Sequence, residues 1–364
     1  MSAPKDLPAA LPEALRNQAT ACAALGSPFT ARLLRLCADR LRPGTPVTDR
    51  LFGWPGDLTA RADSVPLRLA GALHALVQSG QDPALAAVYP PHEAPDVPTD
   101  APTDAALWDA IEAALKEHED FVQLWLDSPP QTNEVRRSAV LIALAGWLQD
   151  RIGLPLVLSE LGASAGLNLL WDCYGLHAGG RSLGPADPVL ELTPDWRGRA
   201  LGTALPRVAA RRGVDLNPLD PQADRLRLMS YLWADQTDRL IRTDAALAEA
   251  RRLRPQVDHG DAAAWLEDRL DETHPGHLHL IFHTVAWQYF PAAVQARATA
   301  ALARAGAAAT PEAPIAHFGM EHDGSPEGAA LTLTLWDGSA PGGVTMDFGR
   351  ADFHGRWVDW QAPD

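Results

Sequence analysis

The chain has 364 residues, of which 46% are hydrophobic and 21% charged, and it carries a formal net charge of −15. That length leaves room for one large domain or two ordinary ones with ample core. The acidic balance argues against broad binding to a phosphate backbone, which needs a basic surface. Arg207, Arg211 and Arg212 could still form a local basic patch, but the expected partner is a small molecule rather than nucleic acid.

Cys22, Cys37 and Cys173 are the only cysteines. They are too few and too widely spaced for a disulfide framework or a metal knuckle, and they suit a reducing compartment. The opening stretch MSAPKDLPAALPEALRNQ holds no apolar run with a cleavage site. No uncharged apolar run reaches the length of a membrane span. The expectation is a soluble, cytoplasmic protein with no membrane partner and no metal; oligomeric state leaves no mark on the sequence.

From the start to about residue 150 the periodicity is helical. Leu11, Leu15, Ala21 and Leu25 make one stripe, and Leu33, Leu34, Cys37 and Leu41 another after the Ser27-Pro28-Phe29 break. Leu67, Leu69, Leu73, Leu76 and Val77 mark a third helix closed by Gly80. Five prolines between Tyr89 and Asp104 predict a loop, after which Asp104 can cap a helix bearing Leu107, Trp108, Ile111 and Leu115. Phe121, Leu124 and Trp125 extend it towards Asp127. Thr132 then suits an N-cap, with Glu134 meeting the dipole of a helix over 135–150. No strand pair is evident before Leu154.

The stretch from Leu154 to Asp172, LPLVLSELGASAGLNLLWD, reads as a buried strand, a small-residue turn and a new helix. Such a turn presents backbone N–H groups and a helix N-terminus to a ligand. A Gly/Pro-rich passage over 177–206 predicts an inserted loop at the sheet edge. A second strand ends at Asp215, and a helical region over 223–252 has a break at Asp235. Further strands follow at Val257 to His259, His277 to Phe282 and Ala313 to Phe318, alternating with helices over 262–270 and from Pro291 to about Ala305. Leu331, Leu333 and Leu335 share one face of a strand that a return strand, Val344 to Phe348, completes as an antiparallel hairpin.

Alternating strands and helices from Leu154 onward predict a parallel sheet covered on both faces. The pattern Glu160-x-Gly162-x-Ser164-x-Gly166, the alternation and the closing hairpin together resemble the class I methyltransferases that use S-adenosylmethionine. The resemblance covers Leu154 to the C-terminus. It implies a doubly wound, mostly parallel seven-stranded sheet with an antiparallel C-terminal hairpin, following an all-helical N-terminal domain. The expected division is 1–131 for a helical cap and 132–364 for the Rossmann-like domain. By that resemblance, Glu160, Gly162, Ala163, Ser164 and Gly166 form the cofactor loop, and Asp215 holds the ribose. Asp261 and Ala262 lie beside the adenine, and His283 borders the cofactor. Serine at 164 departs from the usual glycine. An Asn/Asp-Pro-Pro-Tyr/Phe signature is missing after the fourth strand, so adenine or glutamine N-methylation is not implied. The whole chain is also similar to an uncharacterised bacterial family, a domain of unknown function, through QTNEVRRSA, ELGASAGLNL, VDLNPLDP and FHTVAWQYF.

Methyl transfer needs alignment and sometimes a base on the acceptor. His283, Tyr289 and Glu321 are the catalytic candidates, with His322 beside them; each also fits a plain role as a hydrogen-bonded strand-end residue. Asn133, Glu134, Arg137, Trp287 and Gln288 are candidate contacts to a small-molecule acceptor enclosed under the helical cap, although the first three equally suit an ordinary helix start. Gly-x-Ser-x-Gly also matches the nucleophile elbow of an α/β-hydrolase, with Ser164 as the esterase nucleophile; the helical upstream region and the lack of a His-Gly-Gly stretch count against it. A non-catalytic, cofactor-binding or regulatory protein is the third reading. His277 and His279 could share a strand face and a metal, but no neighbouring ligand motif supports it.

Overall fold

The structure is a computed structural model that describes residues 10–60, 62–90 and 102–363. Three of the loop prolines, Pro91, Pro95 and Pro98, and the first nine residues lie outside the described residues. The chain forms two compact units, Met1–Thr132 with Ala223–Asp244, and Asn133–Gln222 with Ala245–Asp364.

The first unit is helical, with α1 (Ala10–Ala24), α2 (Pro28–Arg40), α3 (Pro46–Phe52), α4 (Val65–Gln78), α5 (Pro83–Ala86), α6 (Asp104–Glu117) and α7 (Glu119–Asp127). Local chemistry sets their starts. Thr45 and Thr48 form a reciprocal capping box ahead of α3, with Pro46 at its first turn. Thr103, rather than the expected Asp104, caps α6 by accepting from Ala106 N–H at 3.2 Å. On α1 the buried stripe runs through Leu11, Leu15, Ala19 and Cys22, so the expected Ala21 faces outward.

The second unit begins with a 3-10 turn at Val135–Arg137 and then α8 (Ser138–Arg151), whose residues 138–148 are all buried. A helix apolar all round in this way must lie inside its unit. There follow β1 (Leu156–Leu161), a 3-10 helix at Leu167–Cys173, β2 (Gly175–Ala178), β3 (Arg181–Leu183), β4 (Glu191–Leu192), β5 (Asp195–Gly198) and β6 (Val208–Asp215). The passage expected as a loop over 177–206 is therefore structured. Strands β2, β3 and β4 form a small separate sheet, and β5 joins the far edge of the main one. The expected helix after the glycine loop is a short 3-10 piece, because the chain turns into β2 at Gly175.

Next come α9 (Arg225–Ser230) and α10 (Thr237–Leu253). The segment Ala223–Asp244 clusters with the helical unit and not, as the sequence suggested, with the sheet. Asp235 is the reason: it accepts from Ser27 Oγ–H at 2.5 Å and Phe29 N–H at 2.8 Å. The Tyr231 ring also fills the space beside Gly71.

The sheet resumes with β7 (Gln256–His259), α11 (Ala262–Leu270), β8 (Leu278–Thr284), α12 (Ala292–Ala307), β9 (Ile315–Glu321), β10 (Ala329–Trp336), β11 (Val344–Ala351) and β12 (Trp357–Trp360). The main sheet has nine strands, in the order β5-β12-β11-β10-β9-β8-β1-β6-β7, which corrects the expected seven. The additions are β12 and β5, which pair in parallel through Trp357 to Trp360 and Asp195 to Gly198. Strands β7, β6, β1, β8 and β9 pair with one another in parallel. Numbered by chain order they read 3-2-1-4-5, the doubly wound arrangement with its switch point between β1 and β8. The expected hairpin is present, with β10 antiparallel to both β9 and β11. On one face Leu161, Val214, Ile281 and Ile315 pack against Ala263, Leu266, Ala298 and Leu302 of α11 and α12.

Candidate functional site

In a doubly wound sheet the ligand crevice lies outside the carboxyl ends of the strands at the switch point. Here that place is framed by the residues after β1, β6 and β8. Two of the four non-glycine residues with positive φ among the described residues are found there, Ser164 at 53° and Val285 at 54°. A β-branched residue in that region is a true outlier, and such strain gathers where function holds it.

The loop after β1 is packed from several sides. Gly162 has φ +73°, and a Cβ on it would stand 2.6 Å from that of Ala286, so glycine is required both for the turn and for the approach of the β8 loop. Gly162 N–H and Ala163 N–H donate to Val214 O at 2.9 and 3.0 Å, and Gly166 N–H to Ala163 O at 2.7 Å. Ser164 N–H donates to Asp215 Oδ2 at 2.8 Å, and Leu167 N–H to Asn133 Oδ1 at 2.9 Å. These donors are directed inward, so the loop is not the ready-made phosphate cradle that its sequence suggests. Asp215 also accepts Asn217 N–H on Oδ1 at 2.8 Å, which fixes both of its oxygens while leaving lone pairs for hydroxyl donors.

Glu160 precedes this loop and is 2% exposed. Its Oε2 is fully buried and has no hydrogen-bond partner among the described residues. Burial first, then the nearby Asp215 carboxylate, pushes the Glu160 carboxyl well above its usual range, and Arg137 opposes this less strongly. Arg137 is directed to backbone: its Nε donates to Phe353 O at 2.8 Å and its Nη1 to Thr284 O at 3.0 Å. Asn133 and Glu134 are buried. Asn133 caps the 3-10 helix after the loop, and Glu134 accepts Arg136 N–H at 3.2 Å. Asn133 and Arg137 thus brace the segments that end β1 and β8, while Glu134 caps its own turn.

Across the switch point, His283 and Glu321 meet, with Nδ1 and Oε1 2.8 Å apart. Glu321 also accepts Ala286 N–H at 2.9 Å, Trp287 N–H at 3.1 Å and Gln288 N–H at 3.5 Å. Burial opposes its charge, but these hydrogen bonds and His283 win and hold its carboxyl below the usual range. His283 Nε2 lies 3.0 Å from His317 Nε2. Burial, reinforced by His283, lowers the His317 imidazole to about 3, so it is neutral. The simplest assignment has His317 Nε2–H donating to His283 Nε2, with the single His283 ring proton on Nδ1 donated to Glu321 Oε1. Gly319 makes room for the ring, since a Cβ there would stand 2.9 Å from His283 Cε1.

Trp287 stacks on His283 with ring centroids 4.8 Å apart. Gln288 is exposed, and its Oε1 accepts His322 N–H at 3.4 Å. Tyr289 is 74% exposed and Leu216, directly after Asp215, 68%. Asp261 is occupied in capping α11, accepting Ala264 N–H at 2.9 Å, and lies 3.6 Å from Arg297; Ala262 is buried behind it. His279 is buried against Ser159 Oγ at 2.8 Å, while His277 is half-buried and precedes β8. Among the described residues no group of three or more His, Cys, Asp or Glu could hold a metal.

His317, Val285 and Leu216 were missed from sequence. His317 had a signal, two residues before Gly319 on a strand beside β8, whereas backbone strain at Val285 leaves none.

A family model described as "Uncharacterized protein conserved in bacteria (DUF2332)" matches residues 12–360. The chain belongs to this family. No curated protein and no solved structure matches it. The DUF2332 match takes in the helical residues, the glycine loop and the β8 and β9 ends alike. Among the described residues of this DUF2332 chain, no helix is long and apolar enough to cross a membrane.

Proposed function

We propose that this DUF2332 protein binds S-adenosylmethionine at the carboxyl ends of β1 and β6 and is a methyltransferase for a small-molecule acceptor. The observation that carries the reading is Glu160, a buried carboxyl beside the Asp215 carboxylate whose Oε2 has no hydrogen-bond partner among the described residues. Two acidic groups, below a loop whose N–H donors are already engaged, favour a ligand that brings positive charge and hydroxyls and disfavour one that brings phosphates. S-adenosylmethionine fits this chemistry and, when bound, supplies an activated methyl group. Glu160 and Asp215 would hold it.

The β8 loop orients the acceptor. Glu321 gathers three backbone N–H groups and the His283 ring, and so fixes the platform on which Trp287, Gln288 and Tyr289 stand. Tyr289, exposed and beside that platform, would hydrogen-bond the acceptor through its hydroxyl. Photocrosslinking with radiolabelled S-adenosylmethionine tests the site: label is expected in peptides spanning 160–166 or 215–217. Label elsewhere, or none, contradicts it.

A serine hydrolase is the second reading, favoured by φ +53° at Ser164, the strained geometry of a nucleophile elbow. Against it, both ring nitrogens of His283 are engaged by Glu321 and His317. Ser164→Ala separates the readings, abolishing ester hydrolysis in one and only weakening cofactor affinity in the other. Crosslinking without turnover on any acceptor would leave a ligand-binding, regulatory protein.

A further inference from the structure

The Glu160 carboxyl lies one residue before the end of β1, on the face that also carries Gly213 and Asp215 of β6 and Phe282 and Thr284 of β8. The titratable and charged groups around it come from three elements. Asp215, on β6, adds negative charge but already accepts Ser164 N–H and Asn217 N–H. Arg137, on the 3-10 turn before α8, turns its guanidinium to Thr284 O and Phe353 O. Tyr174, after the 3-10 helix at Leu167–Cys173, is fully buried and gives its hydroxyl proton to Leu167 O at 2.8 Å. None of them hydrogen-bonds Glu160 Oε2, which has no donor among the described residues. A buried carboxylate without a donor is among the costliest groups a protein can hold, and such a group neutralises instead.

We infer that Glu160 is a protonated carboxylic acid in the ligand-free protein and releases that proton to solvent when a cationic ligand binds beside it. The O–H bond of the acid breaks, the proton goes to buffer, and the carboxylate left behind pairs with the ligand's positive charge. Net charge in the buried region is then the same before and after binding, so a cation is accepted without an uncompensated charge in either state. Burial and the Asp215 charge both act in this direction on the free acid. A neutral ligand of the same shape gives Glu160 no reason to ionise, so the residue selects for charge. The inference rests on the methyltransferase reading for the identity of the ligand, and its test separates the two.

The experiment is calorimetric titration of the full chain with S-adenosylmethionine at neutral pH, in phosphate and in Tris, whose ionisation heats differ widely. The expected result is a heat that depends on buffer and corresponds to roughly one proton released per ligand bound. Affinity should rise by up to about tenfold per pH unit below the carboxyl's own pKa. Glu160→Gln, which copies the neutral acid in shape, should fold, bind at least about tenfold more weakly, and give a heat independent of buffer. Binding by the unaltered protein with no buffer dependence would overturn the inference and leave the cofactor reading standing. Failure of the folded protein to bind S-adenosylmethionine at all would overturn both.

Discussion

Glu160 makes a prediction about the folded chain without any ligand. Its folded pKa lies above the ordinary 4.5, so its contribution to stability is fully present below that value and is lost as pH rises through the folded one. Glu160→Gln removes this dependence. The melting temperature of the variant relative to the parent should therefore climb from pH 4.5 towards neutrality, and a difference constant with pH would contradict the burial argument. His317 and His279 work in the opposite sense, both lowered to about 3, chiefly by burial. Each gives stability above its ordinary 6.5 that is lost as pH falls towards 3. Melting curves should decline between pH 6.5 and 4, and His317→Asn should flatten that decline. Gly162 tests packing: alanine there would meet Ala286 in a backbone conformation of φ +73°. It should cost about 1–3 kcal/mol by denaturant unfolding, and a neutral result would mean that the two loops have room to separate.

At the scale of elements, the β8 loop depends on a side chain from the next strand. Glu321 on β9 collects Ala286, Trp287 and Gln288 N–H groups, so it acts as a cap for a single 3-10 turn. Glu321→Ala should lower the hydrogen-exchange protection of these amides by roughly 10–100-fold, as expected for lost bonds to a charged acceptor. Unchanged protection would show that the loop holds its own shape. Much of this frame could be read before any coordinates. Alternating apolar runs and helical stripes placed β1, β6, β7, β8, β9 and the β10–β11 hairpin in order, because buried strands and amphipathic helices have distinct periods. The small sheet of β2 to β4 and the edge strands β5 and β12 escaped. Their segments are two to four residues long, too short for a period to show. The site was legible in part for a similar reason. The resemblance to methyltransferases and the strand ends pointed to Glu160, Ser164, Asp215, His283 and Glu321, but not that Asn133 would supply the acceptor for Leu167 N–H or that His317 would close the second side of His283. Those are contacts between distant segments.

Over the whole molecule, the order 3-2-1-4-5 puts one switch point in the parallel part of the sheet. At that one place lie a strained Ser164, a strained Val285, a carboxyl whose Oε2 has no donor among the described residues and a second carboxylate. The helical unit takes back the segment Ala223–Asp244, so the chain is not two beads in series, and cutting it at residue 131 would remove the partners of Ser27 and Phe29. A fragment ending there should melt lower than the full chain's helical unit, or fail to fold, by circular dichroism; equal stability would mean that the segment adds little. The central claim is that the ends of β1 and β6 bind S-adenosylmethionine. Calorimetric titration of the full chain, beside Asp215→Ala, tests it most directly. The account predicts binding with a dissociation constant on the order of 1–100 µM that the substitution abolishes. Folded protein that takes up no S-adenosylmethionine, or binding that Asp215→Ala leaves unchanged, would contradict it.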